Sequence, residues 1–413
     1  MRLPLVFGHL KTQEKMYMKA IMYGAGSIGR GFIGALFSKI GYEVVFVDVN
    51  DSVVDTINRE KTYPQVIANE TQDINWITNI RAVNGKDADA VSDEIANADI
   101  LATSVGAAVL KIIAPVIAQG LIKRWDKNPN STFDILICEN LMDADVLLRQ
   151  YLLDALPETY HAMMEANLGI VETSIGRMVP PALPGSASIH PLAVRVEAYD
   201  FLPVDQAAFK GEIPKGDKII PYSPFHYYLE RKLYIHNMAH VTTAYLGKFA
   251  GLTYVHEAAK LLPIRMIVSE CMAESAMALS KKYNIDYVEL KQHMDDLLVR
   301  FKNPYLKDTL ERVARDPVRK LQPSDRLVGA ARNCEEMGIA PIYLAFSIAL
   351  ALYYLEDTDI PAFLEDTCKI SKDEELFSHV LYFYDQLVNG LSSLDDIIFM
   401  IDERRSSVQG SII

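Results

Sequence analysis

Residues Lys19 to Asp48 constrain the fold more tightly than any other stretch of this chain. A short apolar run, KAIMY, leads into Gly24-Ala-Gly-Ser-Ile-Gly29, then Arg30-Gly31 and the helical pattern FIGALFSKI. Gly41 ends that helix, and Glu43 to Asp48 (EVVFVD) reads as a buried strand. Strand, glycine turn, helix and strand make one βαβ unit. A GxGxxG by itself is weak, because glycine pairs also serve ordinary turns. Here it follows a strand, opens a helix and has an acid nineteen residues beyond Gly29, the full context of a dinucleotide site. Gly24 then allows the tight turn, Gly26 lets the backbone approach a pyrophosphate, and Gly29 lets helix and strand pack closely. With Ala25, Ser27 and Ile28 they form the phosphate-facing loop, whose helix-start amides hold the anion. Asp48 is expected to accept hydrogen bonds from the adenosine ribose and to repel a 2′-phosphate, which favours NAD over NADP. Arg30 is expected at the pyrophosphate or at a substrate phosphate, although an arginine near the ribose also suits NADP.

The same alternation continues. Asn50 or Asp51 caps a helix from Val53 to Arg59, and residues 63 to 90 hold β-rich pieces such as NWITNIRAV. Asp99 to Ser104 is a strand that ends in Val105-Gly106, two further candidates for the cofactor edge. Phe133 to Cys138 is another, ending in Glu139-Asn140. Strands alternating with helices predict a doubly wound, mostly parallel sheet, whose ligands lie beyond the carboxyl ends of the strands. Asn140 stands at such an end. A proline-rich loop, Pro180 to Pro191, precedes a strand candidate from Leu192 to Ala198.

Beyond about residue 225 the pattern turns helical, with candidates at 226–248, 255–262, 264–283, 286–300, 305–315, 324–337, 341–355 and 373–390. A length of 413 residues suits two domains. The expectation is an α/β Rossmann domain over 18–199 that binds NAD and a mostly α-helical substrate domain over 200–413. Residues 1–17 read as a dispensable extension or an over-called start codon, too short in apolar core for a signal peptide.

A formal charge of −13 argues against nucleic acid or an anionic membrane as the main partner. No apolar run reaches eighteen residues. Cys138, Cys271, Cys334 and Cys368 show no CxxC or disulfide-like spacing, which suits a reducing, cytoplasmic setting.

NAD implies hydride transfer, and taking hydride from an alcohol carbon requires a group that accepts the hydroxyl proton. A catalytic zinc needs a Cys/His/acid ligand set, and the scattered cysteines supply none, so no metal is expected. Tyr228 and Lys232 form a Tyr-x-x-x-Lys pair, but one that lies past the sheet and opens a helical domain. The remaining solution uses a lysine as the base. Glu230 to His240 (ERKLYIHNMAH) places Lys232, Asn237 and His240 close together. On an α-helix Asn237 falls about 140° round from Lys232 and His240 about 80° round, so all three can face one cleft. His236, one turn from Lys232, shares that face as a packing residue or neighbour of the site.

The sequence resembles the polyol-specific long-chain dehydrogenases, and among them the mannitol-1-phosphate 5-dehydrogenases. The matching stretches are KAIMYGAGSIGRGFIGALF, ICEN, ERKLYIHNMAHVTTAYLGKFAG, FKNPYLKDTLERVARDPVRKL and SDRL, spread from Met18 to about Ser406. The family's Lys-x4-Asn-x2-His is matched by Lys232, Asn237 and His240, and its second asparagine by Asn140. The resemblance implies a reversible, metal-independent oxidation of D-mannitol 1-phosphate to fructose 6-phosphate with NAD. It makes Lys232 the general base, has Asn140 and Asn237 hold the developing alkoxide, and has His240 orient the reacting oxygen.

The basic cluster Arg312, Arg315, Arg319, Lys320 and Arg326 is the densest in the chain. Arg312 and Lys320 are expected at substrate hydroxyls and Arg319 or Arg326 at phosphate, a task suited to a forked guanidinium. The competing reading is surface pairing with Glu311, Asp316 and Asp325. One departure from the family is Gly176-Arg177 where Asp-Arg is usual. Free mannitol, fructose or a hexuronate such as tagaturonate are alternative substrates, a non-catalytic NAD-binding regulator is a further alternative, and monomer and dimer both stay open.

Overall fold

The computed structural model describes residues 18–180, 190–391 and 393–410. The extension over 1–17 and most of the proline-rich loop lie outside them. The strands are β1 (Lys19–Tyr23), β2 (Glu43–Asp48), β3 (Tyr63–Ile67), β4 (Ile74–Ile77), β5 (Ile80–Asn84), β6 (Ile100–Thr103), β7 (Phe133–Ile137), β8 (Leu168–Glu172), β9 (Val194–Val196), β10 (Leu202–Asp205) and β11 (Ile219–Tyr222). Six of them form one sheet in the order β5-β2-β1-β6-β7-β8, with every neighbouring pair parallel. This is the doubly wound sheet expected from the alternating pattern.

The strands read as continuous apolar runs because both faces are covered. Ile21, Val45, Val47 and Leu101 pack on one side and Ala20, Met22, Val44, Phe46 and Ala102 on the other. Chain order reverses at β1, which has β2 on one side and β6 on the other, so a crevice opens above Gly24 and Ser104. Gly24 has φ +97°, and a Cβ there would sit 2.5 Å from the Ser104 carbonyl oxygen. Only glycine fits that turn.

The β-rich stretch after residue 63 folds as an antiparallel β3–β4 pair that β9 extends into a small sheet. It braces the glycine-loop helix: Tyr63 donates to the Arg30 carbonyl at 2.7 Å and Gln65 to the Gly31 carbonyl at 2.8 Å. Leu202, Val204 and Ile219 join the core on one face of the main sheet. The first core therefore extends past the boundary expected near residue 200, while Tyr222 at the end of β11 packs against the helical core.

The second core is helical and begins with His226–Glu230. Its long members are Met238–Phe249, Leu262–Tyr283, Tyr287–Phe301, Ile342–Leu352, Glu375–Val388 and Leu394–Gly410. Every residue from Ile342 to Leu352 is buried, as a helix apolar all round must be. Its N-terminus is capped from a neighbouring helix, where the two oxygens of the Glu274 carboxyl group accept from the Tyr343 and Leu344 amides at 2.9 and 3.0 Å.

The helix expected over 305–315 is broken. A 3-10 turn, Pro304–Leu306, is followed by a β-bridge between Tyr254 and Thr309 and a short helix, Leu310–Ala314. Among the described residues no helix is long and apolar enough to cross a membrane.

Candidate active site

The helix carrying Lys232 is not regular. Between His226–Glu230 and Met238–Phe249 it widens into a π-helix over Arg231–Asn237. In a π-turn each N–H bonds five residues back. Asn237 therefore comes over Lys232 instead of about 140° round from it, and His240 follows about one turn on. The expected angles assumed an unbroken α-helix; the widening aligns the three side chains better than that assumption allowed.

The lysine faces the end of the sheet. Its Nζ donates to Asn140 Oδ1 at 2.5 Å, and Asn140 follows β7. One cleft of about 470 Å³ is lined from the first domain by Ile28, Ser104 and Asn140 and from the second by Lys232, Asn237 and His240. Burial lowers the Lys232 ammonium from 10.5 to about 8, and the positive charge of Arg326 works in the same direction. The other reading of this lysine is not supported. Tyr228 packs among Tyr222, Phe225 and Tyr227 beneath the Arg231 guanidinium, and it does not line the cleft.

His240 is held by a carboxylate. Its Nε2 lies 3.0 Å from Asp308 Oδ2, and its ring stacks on Phe301 at 5.1 Å between centroids. Asp308 Oδ1 in turn accepts from Arg312 Nε at 2.7 Å and lies 2.6 Å from its Nη2. Burial works to raise the Asp308 carboxyl, but His240 and Arg312 outweigh it and hold it below the usual range. His236 also lines the cleft, and burial, with Arg300 and His240 nearby, pushes its imidazole well below the usual value. It is a neutral polar group.

At the cofactor end the glycine loop is shaped by its neighbours. Asp48 Oδ2 accepts from the Ala25 amide at 2.8 Å and Oδ1 from the Asn50 amide at 2.9 Å. Its remaining lone pairs stand at the end of β2. A Cβ on Gly26 would meet nothing within 4 Å, whereas one on Gly29 would overlap the Gly24 carbonyl. The loop thus has an open face at Gly26, packed backbone at Gly29, first-turn amides without partners in their own helix and a carboxylate at the next strand end. These residues fit a dinucleotide.

The Val105 and Gly106 amides both donate to Glu139, at 2.9 Å each, and Gly106 lines the same cleft as Lys232. Arg30 donates through Nε to the Ala25 carbonyl and through Nη1 to the Leu192 carbonyl. Its guanidinium ties the glycine loop to the segment before β9.

A second cavity of about 300 Å³ shares Asn140, Lys232 and Asn237 with the first and adds Arg319, Ser324 and Arg326. The basic cluster is both paired with acids and open to this cavity. Arg319 pairs with Asp316 at 3.0 Å and Asp325 at 3.1 Å, and Arg326 with Asp325 at 2.7 Å, yet both line the cavity beside the lysine. Arg312 lines the main cleft. Lys320 does not line either cavity; it is buried, it reaches the Asp316 carbonyl at 3.4 Å, and burial with Arg326 and Arg319 lowers it to about 8. Lys320, expected at a substrate hydroxyl, thus stands outside both cavities with its ammonium turned back onto its own helix.

Residues 18–218 match the model described as "Mannitol dehydrogenase Rossmann domain", and residues 225–366 match "Mannitol dehydrogenase C-terminal domain". The chain belongs to the mannitol dehydrogenase family. Among solved structures it is similar to Pseudomonas fluorescens mannitol 2-dehydrogenase in a ternary complex with NAD and D-mannitol, at a TM-score of 0.72 and 15% identity over 94% of this chain and 95% of that one. It is also similar to D-sorbitol dehydrogenase in substrate-free form, at a TM-score of 0.71 and 14% identity over 89% and 93%. At those identities the likeness shows the shared fold.

In this mannitol dehydrogenase family member, sequence reasoning missed Asp308 and Glu139. Asp308 precedes Thr309, whose side chain caps Leu310–Ala314, and a helix-start signal there would have broken the helix expected over 305–315. Glu139 stood beside Asn140 with no sequence signal that it holds a neighbouring loop. At the departure, Gly176 offers its carbonyl to Arg300 Nη2 at 2.6 Å, and Arg300 is also paired with buried Glu197 at 2.6 Å. Arg177 is buried, with its N–H groups on the Glu197 and Gly31 carbonyls. A Cβ at Gly176 would press on Tyr199 at 3.3 Å.

Proposed function

We propose that this chain oxidises D-mannitol 1-phosphate to D-fructose 6-phosphate with NAD, reversibly and without a metal. The observation that carries the reading is the Lys232–Asn140 hydrogen bond, which sets an amine with a lowered pKa in one cleft with the glycine loop. NAD, when bound, accepts the hydride. Lys232, neutral, takes the hydroxyl proton of the polyol. Asn140 holds that amine through its carbonyl oxygen and keeps its NH₂ for the developing alkoxide, where Asn237 supplies a second donor. Two such donors contribute a few kcal/mol of barrier reduction, of order ~3 each. His240, oriented by Asp308 and Phe301, directs the reacting oxygen. Asp48 selects a free ribose 2′-hydroxyl and so NAD.

The phosphate is assigned to Arg319 and Arg326 in the cavity that shares Lys232 with the main cleft, with Arg312 toward the hydroxyls. That Arg319 and Arg326 are already paired with acids favours a second reading, a free polyol or hexuronate as substrate. Purified protein given fructose or fructose 6-phosphate, each with NADH and with NADPH, separates the readings by absorbance. A preference for the free sugar would overturn the phosphate assignment.

A further inference from the structure

On the far side of Arg312 from the cleft lies a cavity of about 400 Å³ whose walls include Lys248, Arg312, Arg315, Tyr245 and Tyr354, with Glu311 on its rim. Its charge is not neutralised. Lys248 and Arg315 are exposed and make no ion pair among the described residues, in a chain that carries a net −13. Its floor is aromatic: Tyr245 and Tyr354 stack at 5.5 Å, and the Lys248 ammonium stands 4.7 Å over the Tyr354 ring. Both tyrosine hydroxyls are engaged inside the protein, on the Ala314 and Tyr245 carbonyls. What faces the cavity is therefore the Tyr354 ring, backed by buried Tyr245, with two unpaired cations and a third cation that Asp308 half occupies.

We propose that this cavity binds a small phosphate-bearing anion distinct from the substrate, and that its occupancy is linked to the active site through Arg312. With Asp308 on Arg312 and Glu311 on the rim, the three cations still keep a positive surplus that attracts an anion, and two of the three are guanidinium forks matched to phosphate oxygens. Arg312 clamps Asp308 Oδ1, and Asp308 Oδ2 faces His240 at 3.0 Å. An anion that draws Arg312 outward loosens that clamp and slows turnover without entering the cleft.

The test is calorimetry with inorganic pyrophosphate at constant ionic strength, on wild type and on the double variant Lys248→Ala/Arg315→Ala, both exposed positions outside the cleft. The variant is expected to bind at least tenfold more weakly, about 1.4 kcal/mol, with an unchanged melting temperature. In wild type, pyrophosphate is expected to lower kcat without competing with the polyol phosphate, and the variant is expected to lose that response while keeping its basal rate. Equal binding by the two proteins would overturn the site. Competition with the polyol phosphate would overturn the distinct-ligand assignment, since the phosphate would then belong to the substrate. Only the rate measurement rests on the proposed function; if the chain turned over no polyol phosphate, the binding comparison would still decide.

Discussion

Replacing Lys232 with alanine probes the chemistry most directly, and the structure supplies a magnitude. A lysine at its ordinary value of 10.5 is neutral at pH 7 in about 1 molecule in 3000, whereas one lowered to about 8 is neutral in about 1 in 10. The site thus raises the usable base at pH 7 by about 300-fold, through burial first and Arg326 second. The sign follows for both directions of reaction. Oxidation needs the free amine, so its rate rises with pH through about 8 and levels above it; reduction needs the ammonium, so its rate falls through the same range. Since kcat/KM reports the free enzyme, that parameter should show the limb near 8, and kcat for oxidation should show it at or below 8 once the cationic nicotinamide lies alongside. Initial rates of NADH formation from pH 6 to 10 give the profile. Lys232→Ala should lose about 10²- to 10⁴-fold in kcat, the usual contribution of a positioned base, and with it the limb. Arg326→Gln, which removes the second cause, should move the limb to higher pH. Activity within tenfold of wild type in Lys232→Ala, or a limb that persists in it, would refute the lysine-base reasoning.

Asp308→Asn keeps the shape beside His240 but removes the charge, and should lower kcat/KM by about 10- to 100-fold, the value of a hydrogen bond to a charged group; an unchanged value would show that His240 needs no such orientation. Arg319→Ala and Arg326→Ala should each raise KM for the phosphorylated sugar by about tenfold or more, and both leaving it unchanged would remove them from the phosphate. Asp48→Ala should narrow the preference for NAD over NADP by about 10- to 100-fold in kcat/KM ratios, and a preserved ratio would place the selectivity elsewhere. Glu274, raised by burial from 4.5 to about 8, holds a proton when folded that the unfolded chain releases above its ordinary value. Its contribution is therefore complete below about pH 4.5 and lost as pH rises toward 8. Glu274→Gln should flatten that part of the stability profile, by about 2 to 4 °C in melting temperature for each kcal/mol of linkage removed, in scans at pH 5 and 8; an undiminished slope would assign it to other groups.

Local chemistry made much of this protein legible in its sequence. The glycine loop, β1, β2 and the acid of Asp48 were readable because a tight turn, a buried strand and a helix start each demand particular residues over a few positions. The alternation of β6 and β7 with helices predicted the parallel sheet, since a strand covered on both faces must be apolar throughout. Lys232, Asn237 and His240 were visible as a spacing, and Asn140 as a polar residue at a strand end.

What the sequence left open depends on distance in space. The π-turn that brings Asn237 over Lys232 has no signature in ERKLYIHNMAH, because a widened turn differs from an α-turn by one hydrogen-bond step that packing selects. The same holds for Arg30, which carries the charge expected at a phosphate but is captured by the Leu192 carbonyl, and for Lys320, turned away onto its own helix. Asp308 meets His240 from a non-helical stretch beside the Tyr254–Thr309 bridge, where an unbroken helix was expected. By itself the sequence determined which residues are able to do the chemistry and which strands bury; the tertiary structure decided which charges meet, because long-range contacts set burial and pairing, and these lower Lys232 to about 8.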